Sequence, residues 1–333
     1  MKRILFVLVT ISLLTVFAGA QDLKQFQTQF EAFAGAMAPV LSYNATTGDI
    51  WSTAYLGNFP HFGAGLAIGI SVIPSEALTP FFTAMGMPDL PAEIKEGLPF
   101  PALALTAKLG GLILPFDIGV KAMKMFPELS KVLAGAGIDA DYTLLGATVR
   151  VPLIQKFIRV SLGASYDYLD GSIKMPLKDL PTASYTFQEP NDGPAHTIAV
   201  TDPTMVLGFA TSSFDFTAQA SIQVLFITPY AGAGISLGTS TVKGGLDARL
   251  EYDDAPITEA NLQTIKDILS QAGITIPEIS AEGFRFSSEH TDPVIRLYGG
   301  ASLNFLLLHV DAMVIWIPAN GNVGANVLAR VQL

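Results

Sequence analysis

Val323-Gly324-Ala325-Asn326-Val327-Leu328-Ala329-Arg330-Val331-Gln332-Leu333 closes the chain and alternates without a break. Val323, Ala325, Val327, Ala329, Val331 and Leu333 fall on one side, and Gly324, Asn326, Leu328, Arg330 and Gln332 on the other. In a strand, where side chains alternate, this makes one oily face and one mostly polar face. About ten residues is the length a tilted strand needs to cross a bilayer. The stretch is expected to be the terminal strand of a membrane barrel.

The same alternation recurs upstream. Phe62, Ala64, Leu66, Ile68, Ile70 and Val72 form an apolar file opposite Gly63, Gly65, Ala67, Gly69 and Ser71. Residues 103–109 set Thr106 and Lys108 against an apolar file, and residues 116–122 do the same with Asp117 and Lys121. Residues 145–153 and 158–168 read as a hairpin about Ile154-Gln155-Lys156. Residues 214–226, 230–239, 242–252, 294–305 and 308–317 continue the scheme, with a weaker segment at 205–209. The expected fold class is all-β: a single-chain transmembrane antiparallel β-barrel of about twelve strands, or about fourteen if residues 50–56 or 182–200 contribute. With Leu333 at the periplasmic end, the long connections 74–100, 124–141, 169–204 and 253–293 all fall at the opposite end. Barrels of this class sort their loops that way.

The N-terminus points to the same compartment. Met1-Lys2-Arg3, an apolar run to Phe17 and Ala18-Gly19-Ala20 read as a signal peptide over residues 1–20, cleaved before Gln21. Residues 21–50 are then an N-terminal helix or plug segment, and residues 51–333 the barrel. Within the plug segment Leu23, Phe26, Phe30, Phe33 and Met37 recur at helical spacing. Such a helix can sit in the lumen or lie on the periplasmic rim, and the small inward residues Gly63, Gly65 and Gly69 favour the lumen. Half of the residues are hydrophobic and only 14% are charged, so the apolar residues must be spread through strands. The net charge of −10 argues against nucleic acid as a partner, and the absence of cysteine rules out disulfides and a lipoprotein anchor.

On the alternation, the lumen-lining set is Lys108, Arg150, Arg159, Asp167, Lys243, Asp247, Arg249, Arg296, His309 and Asp311. Charges facing lipid cost several kcal/mol, so they are assigned to the inner face, where they pair or line a solute path. Catalytic constellations are poor. Of four histidines only His309 falls in a strand, with Asp311 on its face, so no enzyme activity, metal or cofactor is expected. The long loops are oilier than water-exposed loops should be. Phe81, Phe82 and Met85, with Met125, Phe126 and Leu129, are candidate ligand-binding residues at the outer mouth. Thr258 is the expected N-cap of a loop helix carrying Leu262, Ile265, Ile268 and Leu269.

The signal peptide, the N-terminal helical segment, Gly63-Ala64-Gly65, the step Leu114-Pro115-Phe116-Asp117 and the closing strand together resemble a family of bacterial outer-membrane barrels of similar length. In outline the chain is also similar to the long-chain fatty-acid transporter barrels. That resemblance implies about fourteen strands, a hatch inside the lumen and apolar extracellular loops. The Asn-Pro-Ala hatch motif does not occur near the mature N-terminus, so no ligand residues are carried over.

The resulting expectation is an outer-membrane barrel of a diderm bacterium that takes up a small hydrophobic or amphipathic molecule. Its expected partners are the lipid bilayer and the barrel assembly machinery. The alternatives are a general porin with Arg150, Arg159, Asp167, Lys243 and Arg249 setting charge selectivity, or a structural or adhesive surface barrel.

Overall fold

The computed structural model describes residues 20–54, 61–84, 95–111, 115–125, 130–131, 139–176, 183–188, 195–271, 278–280 and 283–333. The proposed signal peptide before Ala20 lies outside them. Three helices have described bounds, α1 (Ala20–Ala45), α2 (Ser75–Ala84) and α3 (Glu259–Gln271), and residues 130–131 are also helical. The strands are β1 (His61–Ile73), β2 (Leu98–Gly110), β3 (Asp117–Lys124), β4 (Asp139–Gln155), β5 (Ile158–Pro176), β6 (Ala183–Gln188), β7 (Ala195–Ile222), β8 (Ile227–Tyr252), β9 (Ala255–Pro256), β10 (Glu278–Ser280), β11 (Gly283–His290), β12 (Val294–Phe305), β13 (Leu308–Ile317) and β14 (Asn322–Gln332).

Ten of these strands form a closed antiparallel ring in the order β1, β2, β3, β4, β5, β7, β8, β12, β13, β14 and back to β1. The closing strand does what its alternation demands. It pairs β1 from Gly63 opposite Gln332 to Ser71 opposite Gly324, and Leu333 N donates to Phe62 O at 2.9 Å. β6, β9, β10 and β11 pair at the tall end, outside the ring.

The count of ten corrects the expectation of about twelve. Residues 205–209 and 214–226 belong to the single strand β7, of 28 residues, which ends at Ile222. Residues 230–239 and 242–252 belong to the single strand β8, of 26 residues. The turn between them, Gln223–Phe226, carries no glycine, and Leu225 adopts φ 53° there. Residues 50–54 are loop rather than strand, buried at Ile50 to Ser52, and residues 183–188 and 195–200 supply β6 and the start of β7, so neither adds to the ring.

At about 3.3 Å per residue, β7 and β8 are far longer than a bilayer crossing requires. β13 and β14, with 10 and 11 residues, are close to the minimum. The barrel is therefore tall along β4, β5, β7 and β8 and low along β12 to β3. All long connections leave from the tall end. On the low side Ile68, Ile70, Val314, Trp316, Val323, Val327 and Val331 are exposed on the outer face, and the belt continues through Leu162, Phe214, Phe216 and Leu237. The 11 residues of β14, at about 3.3 Å each and the roughly 45° tilt usual in such barrels, give a belt of about 25 Å, the height of a hydrocarbon layer. A contiguous apolar surface of this size needs a cover, and a bilayer fits it.

The tall region reverses the faces. In β8 Val242, Ala248 and Leu250 are buried, and Gly244 lies under the Phe30 ring, so these even-numbered positions point inward. Lys243, Asp247 and Arg249 point outward, and Asp247 meets Arg285 on that outer surface. Their assignment to the lumen is therefore wrong. Above the belt the outer face meets water and the inner face meets α1, so polar residues turn out and apolar ones turn in.

Candidate functional site

Chain entering the barrel from α1 fills the lumen in two layers. In the upper layer Phe30, Phe33, Met37, Val40 and Leu41 are fully buried against Leu144, Leu169, Phe209, Val242 and Phe286 of the wall, with Leu78 of α2 in the same cluster. Phe30 and Phe286 rings lie 6.1 Å apart, and Phe100 meets Phe209 edge-on at 5.1 Å. Leu23 and Phe26 belong to α1, but their side chains lie outside the described residues.

The lower layer is polar and grips the segment that follows the helix, Thr46 to Thr53. Lys108 Nζ donates to Asp49 O at 2.5 Å, and Lys121 Nζ to Ala45 O at 2.5 Å. Arg150 donates to Trp51 O at 2.7 Å and also to Thr53 O. Gln219 Nε2 reaches Trp51 O at 2.9 Å and Ser52 O at 2.7 Å, and Arg330 donates to Ser52 Oγ at 3.1 Å. A loop in a lumen cannot satisfy its carbonyls by secondary structure, and here the wall supplies the donors.

Most of the charge inside the layer is paired, Lys108 instead being held by a carbonyl. Lys121 bridges the Asp49 and Asp167 carboxylates, each at 2.7 Å, and Ser165 donates to Asp167 at 2.7 Å. Arg296 pairs with Asp215, Arg330 with Asp311, and Arg150 with Asp117 at 3.4 Å. The Trp51 ring lies between two cations, with Lys108 Nζ 5.2 Å and Arg330 Cζ 4.7 Å from its centroid. Buried pairs add little net stability, because desolvation offsets their attraction, but they fix register. In this lumen they determine where the segment sits.

Wall glycines follow the contour of the segment. A Cβ at Gly63 would lie 2.8 Å from the Trp51 ring, one at Gly69 2.5 Å from Thr47 Oγ1, and one at Gly324 2.6 Å from the Tyr43 ring. The smallness of these positions makes room for the chain's own N-terminal segment.

Of the residues assigned from sequence to the lumen, Lys108, Arg150, Asp167, Arg296 and Asp311 are buried in this layer. Arg159 lines a polar recess of about 160 Å³ at the short-turn mouth. His309 bonds the Asn304 side chain at 2.6 Å, while Asp311 goes to Arg330, so the two share a face without sharing a bond. Phe81 and Phe82 lie in α2 with side chains outside the described residues, Met125 follows β3 with its N–H on Tyr142 O, and Met85, Phe126 and Leu129 lie outside them altogether. Among the described residues no group of histidines and carboxylates is placed to hold a metal. Sequence reasoning missed Asp49 and Trp51. Their signal was a buried-type tryptophan beside an acid, just upstream of a strand whose inner face is glycine.

No family model matches the chain, and no curated protein matches it in sequence. Among solved structures it is similar to the CymD monoaromatic hydrocarbon channel, at 11% identity over 90% of this chain and 92% of that one, with a TM-score of 0.25. It is also similar to Pseudomonas putida OprB, at 7% identity, 82% and 94% coverage and a TM-score of 0.19. OmpT of Vibrio cholerae matches at 6% identity, 84% and 100% coverage and a TM-score of 0.15. At such scores the likeness decides nothing about the site, which stands on its own geometry.

Proposed function

We propose that the chain is an outer-membrane barrel that admits a small hydrophobic or amphipathic molecule through a lumen kept shut by its own N-terminal segment. The observation that carries this reading is the layering of the lumen. Its outer-facing half presents Phe100, Leu144, Leu169, Phe209 and Val242 inward, and its inner half presents charge. A water-filled general pore has no use for an apolar inner wall, whereas a hydrophobic solute entering from the loop end meets one as soon as α1 shifts. The segment that closes the lower layer is held by hydrogen bonds to its carbonyls and to Ser52 Oγ, by the lysine its Asp49 shares with Asp167 and by cations against Trp51, polar contacts that can be exchanged for water without unfolding the wall. In this reading Phe81, Phe82 and Met85 capture the solute at the mouth.

The test is conductance of the refolded mature chain in a planar bilayer, followed by toluene uptake into proteoliposomes. The expected result is an electrically silent barrel that passes toluene, with uptake lowered when Phe81, Phe82 and Met85 are changed to serine. Stable ion-selective steps from the unaltered chain favour a porin instead. A silent barrel that passes no toluene favours the structural role.

A further inference from the structure

We infer a second site, independent of the reading above: a cavity beside α1 that binds a small, neutral, polyhydroxylated solute. It forms where β8 changes partners. Below, β8 pairs β12 up to Ser236 opposite Val294; above, it pairs β11 from Ser240 opposite His290. Between them Leu237 to Thr239 and Thr291 to Pro293 make no ladder pairing with each other, and a cavity of about 200 Å³ opens at this break. That is the volume of roughly six or seven liquid waters, or one six-carbon polyol. Asp292, Pro293, Ala319 and Asn320 are exposed at its mouth, and α1 forms the inner side with Ala38 and Ser42.

Three rungs of the β7–β8 ladder build the back wall, Thr211 opposite Ser240, Ser213 opposite Gly238 and Asp215 opposite Ser236, with Asp215 itself behind the lining. In the first rung the hydroxyls bond each other at 2.8 Å, and in the third Ser236 donates to Asp215 at 2.8 Å. The middle rung lacks a partner side chain because Gly238 is held to glycine: a Cβ there would fall 2.1 Å from Ser212 O. Ser213, 3% exposed, lines the cavity, and its Oγ has no hydrogen-bond partner among the described residues. A buried hydroxyl in that position calls for an occupant that can bond it.

The lining sets the class of that occupant. Among the described residues the buried cation near the wall, Arg296, is taken by Asp215 at 2.7 Å, His290 in the lining is engaged by Ser288 at 3.1 Å, and Asp292 at the mouth is itself anionic, so an anion meets no free counter-charge. A hydrocarbon would strip water from Ser42, Thr211, Ser213 and Ser240 and give nothing back. A neutral polyol both donates to and accepts from hydroxyls.

The experiment is saturation-transfer NMR and calorimetric titration of the refolded mature chain in detergent with myo-inositol and D-glucose, and with inorganic phosphate and toluene for comparison. Saturable binding of a polyol is expected, abolished by Asn320→Trp at the exposed mouth and weakened about tenfold by Ser213→Ala, which keeps the cavity but removes the hydroxyl. Heat-dependent mobility in gels verifies that each variant is folded. The proposal is overturned if neither polyol binds the folded chain, if phosphate or toluene binds this cavity in their place, or if polyol binding is indifferent to both substitutions.

Discussion

Two residues, Trp51 and Lys121, hold the lumen shut by different physics. Trp51 is fully buried, fills the space that Gly63 leaves and is flanked by Lys108 and Arg330. Gly63→Val puts carbon where the ring stands, so the ring must leave. In a background with Trp316 replaced by Phe, the Trp51 emission should shift to the red and become open to iodide quenching; unchanged emission would mean that the wall yields and the segment stays. Lys121 is the shared counter-ion of Asp49 and Asp167. Lys121→Met strands two buried carboxylates and should cost about 3–5 kcal/mol, read as a lowered urea midpoint, and Asp49→Asn in the same chain should recover part of that loss. The inward place of Lys121 was legible from alternation alone. Its partner Asp49 was not, because nothing in the order of the chain says which carboxylate a lumen cation will meet across 72 positions.

At the level of elements, alternation identified the strands but not where they end. β7 and β8 were each divided into two because glycines, serines and threonines dilute the apolar file at their middle, where the barrel wall leaves the belt and its outer face meets water. Period two survives there while the meaning of its faces inverts, which is why Lys243 and Arg249 were assigned to the wrong side. The turns were obscured for another reason. Leu225 and Leu306 occupy left-handed conformations, φ 53° and 51°, that sequence reading reserves for glycine or asparagine. Both are almost wholly exposed, so they contribute no packing to offset the backbone cost. Leu225→Asn and Leu306→Asn should each raise the stability of the refolded barrel by about 1 kcal/mol, seen as a higher urea midpoint with an unchanged slope. A fall instead would show that the leucines are held by apolar contact at the short-turn rim.

At the scale of the molecule, the barrel and its N-terminal segment divide the charge unevenly, and the division predicts how the opened lumen would conduct. Among the described residues the wall contributes six inward cations, Lys108, Lys121, Arg150, Arg159, Arg296 and Arg330, against four carboxylates, Asp117, Asp167, Asp215 and Asp311. Asp49, which offsets part of that excess, belongs to the segment and leaves with it. The double variant Gly63→Val, Gly69→Val crowds Trp51 and Thr47 without altering any charge, and valine suits a strand better than glycine, so the wall is retained. Displacing the segment should turn a silent barrel into an anion-selective one, because a pore lined by excess fixed cations concentrates anions at its constriction. In a planar bilayer under a potassium chloride gradient the reversal potential should take the sign of chloride permeation and shrink as salt screens the wall. Potassium selectivity would mean that Asp49 and the segment remain in the conducting path, and that the lumen opens around its plug rather than by losing it.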